Sequence, residues 1–239
     1  MSTPNPKVVV VRAKTAGLSE QQPVLRWPKY LLLLALVSSI YYWLDGIKER
    51  WYIFDPTELH NLANAAIAQS PDNTTQIVSH IVSNLIEKHG LKHINPREDE
   101  WVFNNAGGAM GGMYVIHASI TEYLIIFGTS IGTEGHTGRH TADDYFNILQ
   151  GEQWAYSPPS LVKEVYPAGS VHHLRRGTTK QYKMHDGCFA LEYARGWIPP
   201  MLPFGLADTL TSTLDFGAFY DTARITAREM IKNLLVGKI

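Results

Sequence analysis

The spacing of apolar and polar positions changes along the chain, and each change marks a part. Residues 1 to 26 carry a short KVVVVR run but no apolar repeat long enough to pack, which reads as a flexible tail. From Tyr30 to Leu44, YLLLLALVSSIYYWL, no side chain is charged. Trp27 and Lys29 stand before this run and Tyr41, Tyr42 and Trp43 close it, the aromatic belts and snorkelling lysine of a membrane boundary. A signal peptidase site needs small residues where these aromatics stand, so 27–46 is predicted to be an uncleaved transmembrane anchor. Lys7, Arg12, Lys14, Arg26 and Lys29 precede it and only Lys48 and Arg50 follow closely, which places the N-terminus in the cytosol and the remainder across the membrane.

A helical period then takes over in 47–100. Asp55-Pro56-Thr57-Glu58 is a capping start for a helix with Leu59, Leu62, Ala63, Ala66 and Ile67 on one stripe. A second helix is predicted to begin near Asp72 or Asn73, to carry Ile77, Val78, Ile81, Val82, Leu85 and Ile86, and to stop at Gly90. Asn73-Thr74-Thr75 is also a glycosylation sequon, which makes it a topology probe.

Between Trp101 and Pro200 the period becomes two, in short runs broken by Gly, Pro and Asn, as expected of a barrel or double-sheet sandwich. The segment from Asn105 to Gly112 is too rich in glycine for a helix and fits no phosphate or dinucleotide loop, so it reads as close backbone packing. Gly132 to Gly138 reads as a turn. Residues 201–239 return to a helical period. Phe216, Phe219, Tyr220, Ala223, Ala227, Met230, Ile231 and Leu234 make one apolar stripe opposite Asp221, Arg224, Arg228, Glu229 and Lys232. A helix pair that closes the barrel, or that also rests on the bilayer at its mouth, accounts for this pattern.

Chemistry enters at Gly187 to Pro200, where Glu192 stands inside an apolar strand run and shares its face with Ala190 and Ala194. A carboxylate there is either a solvated residue of a half-buried strand or a buried acid whose pKa must rise. Tyr123, Ile125 and Phe127 share a face of another strand, and the Tyr123 hydroxyl needs a partner for which Glu192 is the natural candidate. In ADDYFNILQ, Asp144 and Phe146 point one way and Asp143 the other; one of these acids either caps a turn or joins Glu192 as an acid/base pair.

Composition narrows the choices. A formal charge of −1 gives no electrostatic reason for a nucleic acid partner. Cys188 is the only cysteine, which excludes an intrachain disulfide and a cysteine metal cage. Pro167 to His172 reproduces PxGxxH, half of a cupin metal motif, and His136 and His140 could add ligands; no HxH with a following Glu stands upstream at cupin spacing, so the expectation is no metal.

The strings WVFNNAGGAMGGM, HASITEYLIIFGTSIGTEGHTGRH, ADDYFNILQG, EVYPAG and FALEYARGWIPPMLPFGLADT, with the closing helix, resemble the fungal C-8 sterol isomerases and, more distantly, the sigma non-opioid intracellular receptor, from about Trp51 to the end. The resemblance implies a mainly β fold with flanking helices: a cupin-like β-barrel, one N-terminal transmembrane helix and two C-terminal amphipathic helices facing the membrane of the endoplasmic reticulum, as a homotrimer. It implies a sterol substrate whose double bond moves from delta-8 to delta-7 without nicotinamide, haem or metal, and inhibition by cationic amines of the morpholine type. A sigma-receptor-like binder without catalysis is the alternative it leaves. It implies that Glu192 meets a cation and that Tyr123 steadies it. The receptor's second acid falls at Phe146 by ungapped counting, which makes Asp144, two residues earlier on the same face, the first choice for that role and Asp143 the second. Met113, Val115, Ile125, Phe127, Phe146, Ile198 and Leu202 are the expected walls of the site, and Ala109 stands where the receptor has an aromatic. His117, His136 and His173 are expected to be structural or to relay protons.

Overall fold

The computed structural model describes residues 27–239, so the expected tail lies outside the described residues. Helix α1, Trp27–Ile47, has 21 residues and buries none of them. At about 1.5 Å per residue it spans about 30 Å, and it is the described helix long and apolar enough to cross a membrane by length and composition. Residues 46–239 form a compact unit of their own.

That unit begins with helices α2, Pro56–Gln69, and α3, Thr74–His89. The Asp55 carboxylate accepts the Thr57 and Glu58 amides, with Pro56 in the first turn; Asn73 accepts the Gln76 amide, and Gly90 closes α3 at φ 79°. Ten strands follow: β1, Trp101–Ala106; β2, Ala109–Ala118; β3, Glu122–Thr129; β4, Thr133–His136; β5, Ala142–Gln150; β6, Glu152–Tyr156; β7, Glu164–Pro167; β8, Val171–Leu174; β9, Gln181–Met184; and β10, Cys188–Gly196. All pairings are antiparallel, and the strands form a six-stranded sheet in the order β1-β2-β3-β10-β5-β8 and a four-stranded sheet in the order β4-β9-β6-β7. From β3 to β10 each successive strand crosses to the other sheet, except at the β6–β7 hairpin, in the manner of a jelly roll, the architecture of cupin barrels, with β1 and β2 added at one edge. The segment expected as a turn at 132–138 contains β4, because its pairing with β9, from Thr133↔Met184 to His136↔Gln181, outweighs its glycines.

The glycine-rich segment is the β1–β2 hairpin. Gly107 and Gly108 take φ of 64° and 84°, the left-handed pair that a tight two-residue hairpin turn requires. A Cβ on Gly111 would lie 2.5 Å from the Gly128 carbonyl and 2.8 Å from the Phe127 ring, so here the absent side chain permits the strands to close on the barrel interior.

The six-stranded sheet is buried on both faces, which explains near-continuous apolar runs such as YLIIF. Leu124, Ile126, Leu191 and Tyr193 face α2 and α3, whereas Ile125, Phe127, Phe146, Ala190 and Ala194 face into the barrel. Helix α4, Pro203–Asp208, runs into a π-helical turn over Thr209–Thr213, and α5, Phe216–Leu235, packs on β1 and β2. The single stripe expected on α5 is divided: Ile225, Thr226, Glu229, Met230 and Asn233 are buried, while Phe216, Tyr220, Ile231 and Leu234 are exposed. Glu229 turns inward because Arg228 and Lys232 pair with it.

Candidate active site

Strand alternation sets the acids. Glu192 pairs with Ile125 on β3 and Phe146 on β5, and Asp144 pairs with Ala194, so the two carboxyls stand one step apart on the inner face of adjoining strands. Both line a cavity of about 390 Å³ inside the barrel, within the size range of small-molecule sites. Its walls include Met113, Tyr123, Ile125, Phe127, Phe146, Ile198 and Leu202, and its mouth is built from Phe204, Thr209, Phe219 and Thr222 of the C-terminal helices. No lysine or arginine lines it among the described residues. The cavity is therefore mainly apolar, with its acidic charge uncompensated by any resident cation.

That setting governs ionisation. Burial pushes the Asp144 carboxyl up to about 7, against the effect of a hydrogen bond with Glu192. Burial also raises Glu192 well above the usual carboxylate range, and the neighbouring Asp144 charge and their hydrogen bond raise it further. Oδ1 of Asp144 is buried without an N–H or hydroxyl donor. Burial raises both groups and the Asp144 charge raises Glu192 further, so of the two carboxyls Glu192 holds its proton more tightly. Two carboxyls in one dry site hinder each other's ionisation.

Other expected residues fall differently. Asp143 points out of the barrel, where it accepts from His173 Nε2 at 3.0 Å and from the Arg176 amide at 3.2 Å, and it does not line the cavity. The Tyr123 hydroxyl bonds Thr226 Oγ1 at 3.0 Å rather than Glu192, and burial pushes it up to about 12. Val115 is packed in the core without reaching the cavity wall, whereas Ala109 lines it. His117 is buried on the far side of β2, bonded to the His93 carbonyl at 2.8 Å and held down to about 3 by burial. His136 lines the mouth with both ring nitrogens engaged, by the Gly138 amide and Thr179 Oγ1. His172 of the half-motif bonds Gln153 Oε1 at 2.8 Å, and among the described residues no three His, Cys, Asp or Glu side chains converge as metal ligands. Tyr182 lines the cavity and Thr226 reaches it through Tyr123, both without a local sequence signal; each is one residue of an ordinary alternating or helical pattern, and only the tertiary fold brings them there.

The fold and site define a jelly-roll barrel capped by helices, with two carboxyls facing a mainly apolar cavity. Residues 31–238 match the family described as "ERG2 and Sigma1 receptor like protein", and the chain belongs to that family. The C-8 sterol isomerase of Pyricularia oryzae is 66% identical over 208 residues, covering 87% of this chain and 94% of that protein. The C-8 sterol isomerase of Aspergillus fumigatus is 62% identical over 204 residues, covering 85% of each. The sigma non-opioid intracellular receptor 1 of Danio rerio is 37% identical over 198 residues, covering 82% and 85%. Among solved structures, an RmlC-like cupin from Shewanella frigidimarina gives a TM-score of 0.36 at 12% identity, covering 44% of this chain and 91% of that one, a likeness too partial to carry weight.

Proposed function

We propose that this chain is a sterol isomerase that moves the ring double bond from delta-8 to delta-7. The observation that carries this reading is the placement of Asp144 and Glu192 on adjoining strands, facing a mainly apolar cavity that no lysine or arginine lines among the described residues; in this reading the two acids share one proton. Glu192 donates that proton to carbon 9, the electrons of the 8,9 double bond form the new C–H bond, and carbon 8 becomes a tertiary cation. The Glu192 carboxylate left behind faces the cation. At an effective dielectric of about 20, a carboxylate about 4 Å away stabilises a unit charge by about 4 kcal/mol, or about a thousandfold in rate. Asp144 removes the carbon 7 proton, and the electrons of that C–H bond become the 7,8 double bond. Transfer along the Asp144–Glu192 hydrogen bond restores the pair. Protons and electrons balance without a redox partner.

In the same reading α1 anchors the chain in the endoplasmic reticulum membrane, with the barrel lumenal and the exposed apolar residues of α5 against the bilayer, in a homotrimer. A protonated lipophilic amine of the morpholine type would occupy the place of the cation. The test is turnover: the purified chain in detergent converts a delta-8 sterol to its delta-7 isomer with no nicotinamide, flavin or metal supplied. Tight binding of lipophilic amines with no conversion of the sterol would instead make the chain a sigma-receptor-like binder, the reading favoured by its similarity to the Danio rerio receptor.

A further inference from the structure

The acids occupy the six-stranded sheet, and one polar group faces them from the other sheet. Tyr182 lies on β9, paired with Gly135 of β4 and Ala155 of β6, and its ring is packed 6.4 Å from that of Phe146 inside the barrel. The residue is 9% exposed, and that exposure opens onto the cavity it lines. Its hydroxyl bonds no other group of the protein among the described residues, whereas Tyr123 is engaged by Thr226, His140 by the Thr137 carbonyl and Thr209 by the Gly205 carbonyl. A phenol in an apolar interior without a partner costs free energy that a ligand can recover. Phe146, whose ring it meets, is the β5 residue paired with Glu192, and Tyr182, Glu192 and Asp144 line the same cavity.

A sterol has few polar groups to offer such a partner. Its hydroxyl is on ring A, fused directly to ring B, the ring that contains carbons 7, 8 and 9. A substrate with ring B against Glu192 must therefore place its hydroxyl within one ring of the acids, on the same stretch of wall. We propose that Tyr182 is a specificity-determining residue whose hydroxyl hydrogen-bonds the ring A hydroxyl of the substrate and so sets which ring edge meets Glu192. The inference rests on the isomerase reading and adds to it the orientation of the substrate.

The test is a cycle between protein and ligand, with Tyr182→Phe, which keeps the ring packing, and a delta-8 sterol against its 3-deoxy analogue. For the hydroxylated sterol, Tyr182→Phe is expected to raise KM about tenfold with kcat within about twofold, as for loss of one hydrogen bond. For the 3-deoxy analogue the variant and the native protein should not differ. Equal losses on both sterols, or a fall confined to kcat, would overturn the inference by showing that Tyr182 acts on the acids instead. No change on either sterol would overturn it as well. Native protein that isomerises neither sterol would overturn the isomerase reading itself, and this inference with it.

Discussion

Two buried carboxyl sites lie on opposite faces of the same sheet, and they are provisioned in opposite ways. On the helix side, Glu122 is 0% exposed and fully matched: the Ile53 and Phe54 amides donate to it at 2.9 and 3.1 Å, the Tyr193 hydroxyl at 2.6 Å, and Lys238 Nζ lies at 2.9 Å. On the barrel side, Glu192 and Asp144 have no cation; they have each other, and Asp144 has the Tyr145 amide. Both arrangements bury an acid, yet the first spends it on structure, tying 53–54 and residue 238 to the start of β3. The second leaves the charge unsettled and open to a cavity. A matched buried ion is a fastener, while an unmatched one is a site waiting for a ligand or reaction intermediate of opposite charge.

Substitutions separate the two sites. Glu192→Gln removes the donated proton and the facing carboxylate together, and isomerase turnover should fall by about a thousandfold or more while the melting temperature holds or rises. Unaltered delta-7 product, measured by sterol analysis, would mean that the chemistry lies elsewhere. Lys238→Met strands Glu122 as an unpaired buried charge, and should lower stability by about 3 kcal/mol in denaturant unfolding with turnover per folded molecule unchanged. A variant that keeps native stability would show that the amides and the Tyr193 hydroxyl satisfy Glu122 alone.

Asp144→Asn sharpens the contrast through pH. The Asp144 base is ionised above its raised pKa of about 7, so native turnover should decline as pH falls through about 7; the variant should lose about a hundredfold and this acid limb with it. Stability carries the opposite sign. Because the folded pKa is raised above the ordinary value of 3.8, the contribution of Asp144 is fully present below about 4 and is lost as pH rises through about 7. Asp144→Asn should therefore flatten the fall in melting temperature between pH 5 and pH 8, and an unchanged slope would argue against a buried charge. Asp143→Asn, on the outer face, should change turnover by less than about threefold; a larger loss would restore it as a candidate acid.

Much of the barrel site was legible because it depends on strand alternation. The period-two pattern puts Glu192 with Ala190 and Ala194, and Asp144 with Phe146, on inward faces; all but Ala190, which is packed in the core, line the cavity. What a strand pattern cannot report is the partner across the fold. Tyr123 was assigned to the correct face and the wrong acceptor, because Thr226 reaches it from a helix a hundred positions away. The periodicity of α5 shows an apolar stripe but not which flank meets the barrel, and a glutamate at position 229 reads as solvent-facing until Arg228 and Lys232 are placed beside it. Glu122 is the sharpest case: one acid at a strand start is an ordinary boundary residue, and its matching groups come from segments near both ends of the described chain.

The central claim is that the barrel pair keeps one proton at neutral pH, on Glu192. Infrared difference spectra of the unliganded native protein and Glu192→Gln, recorded at pH 7.5, count that proton directly. A protonated-carboxyl band present in the native protein and absent from the variant is the predicted result. Two ionised carboxylates in the native protein, with no such band to lose, would contradict the account.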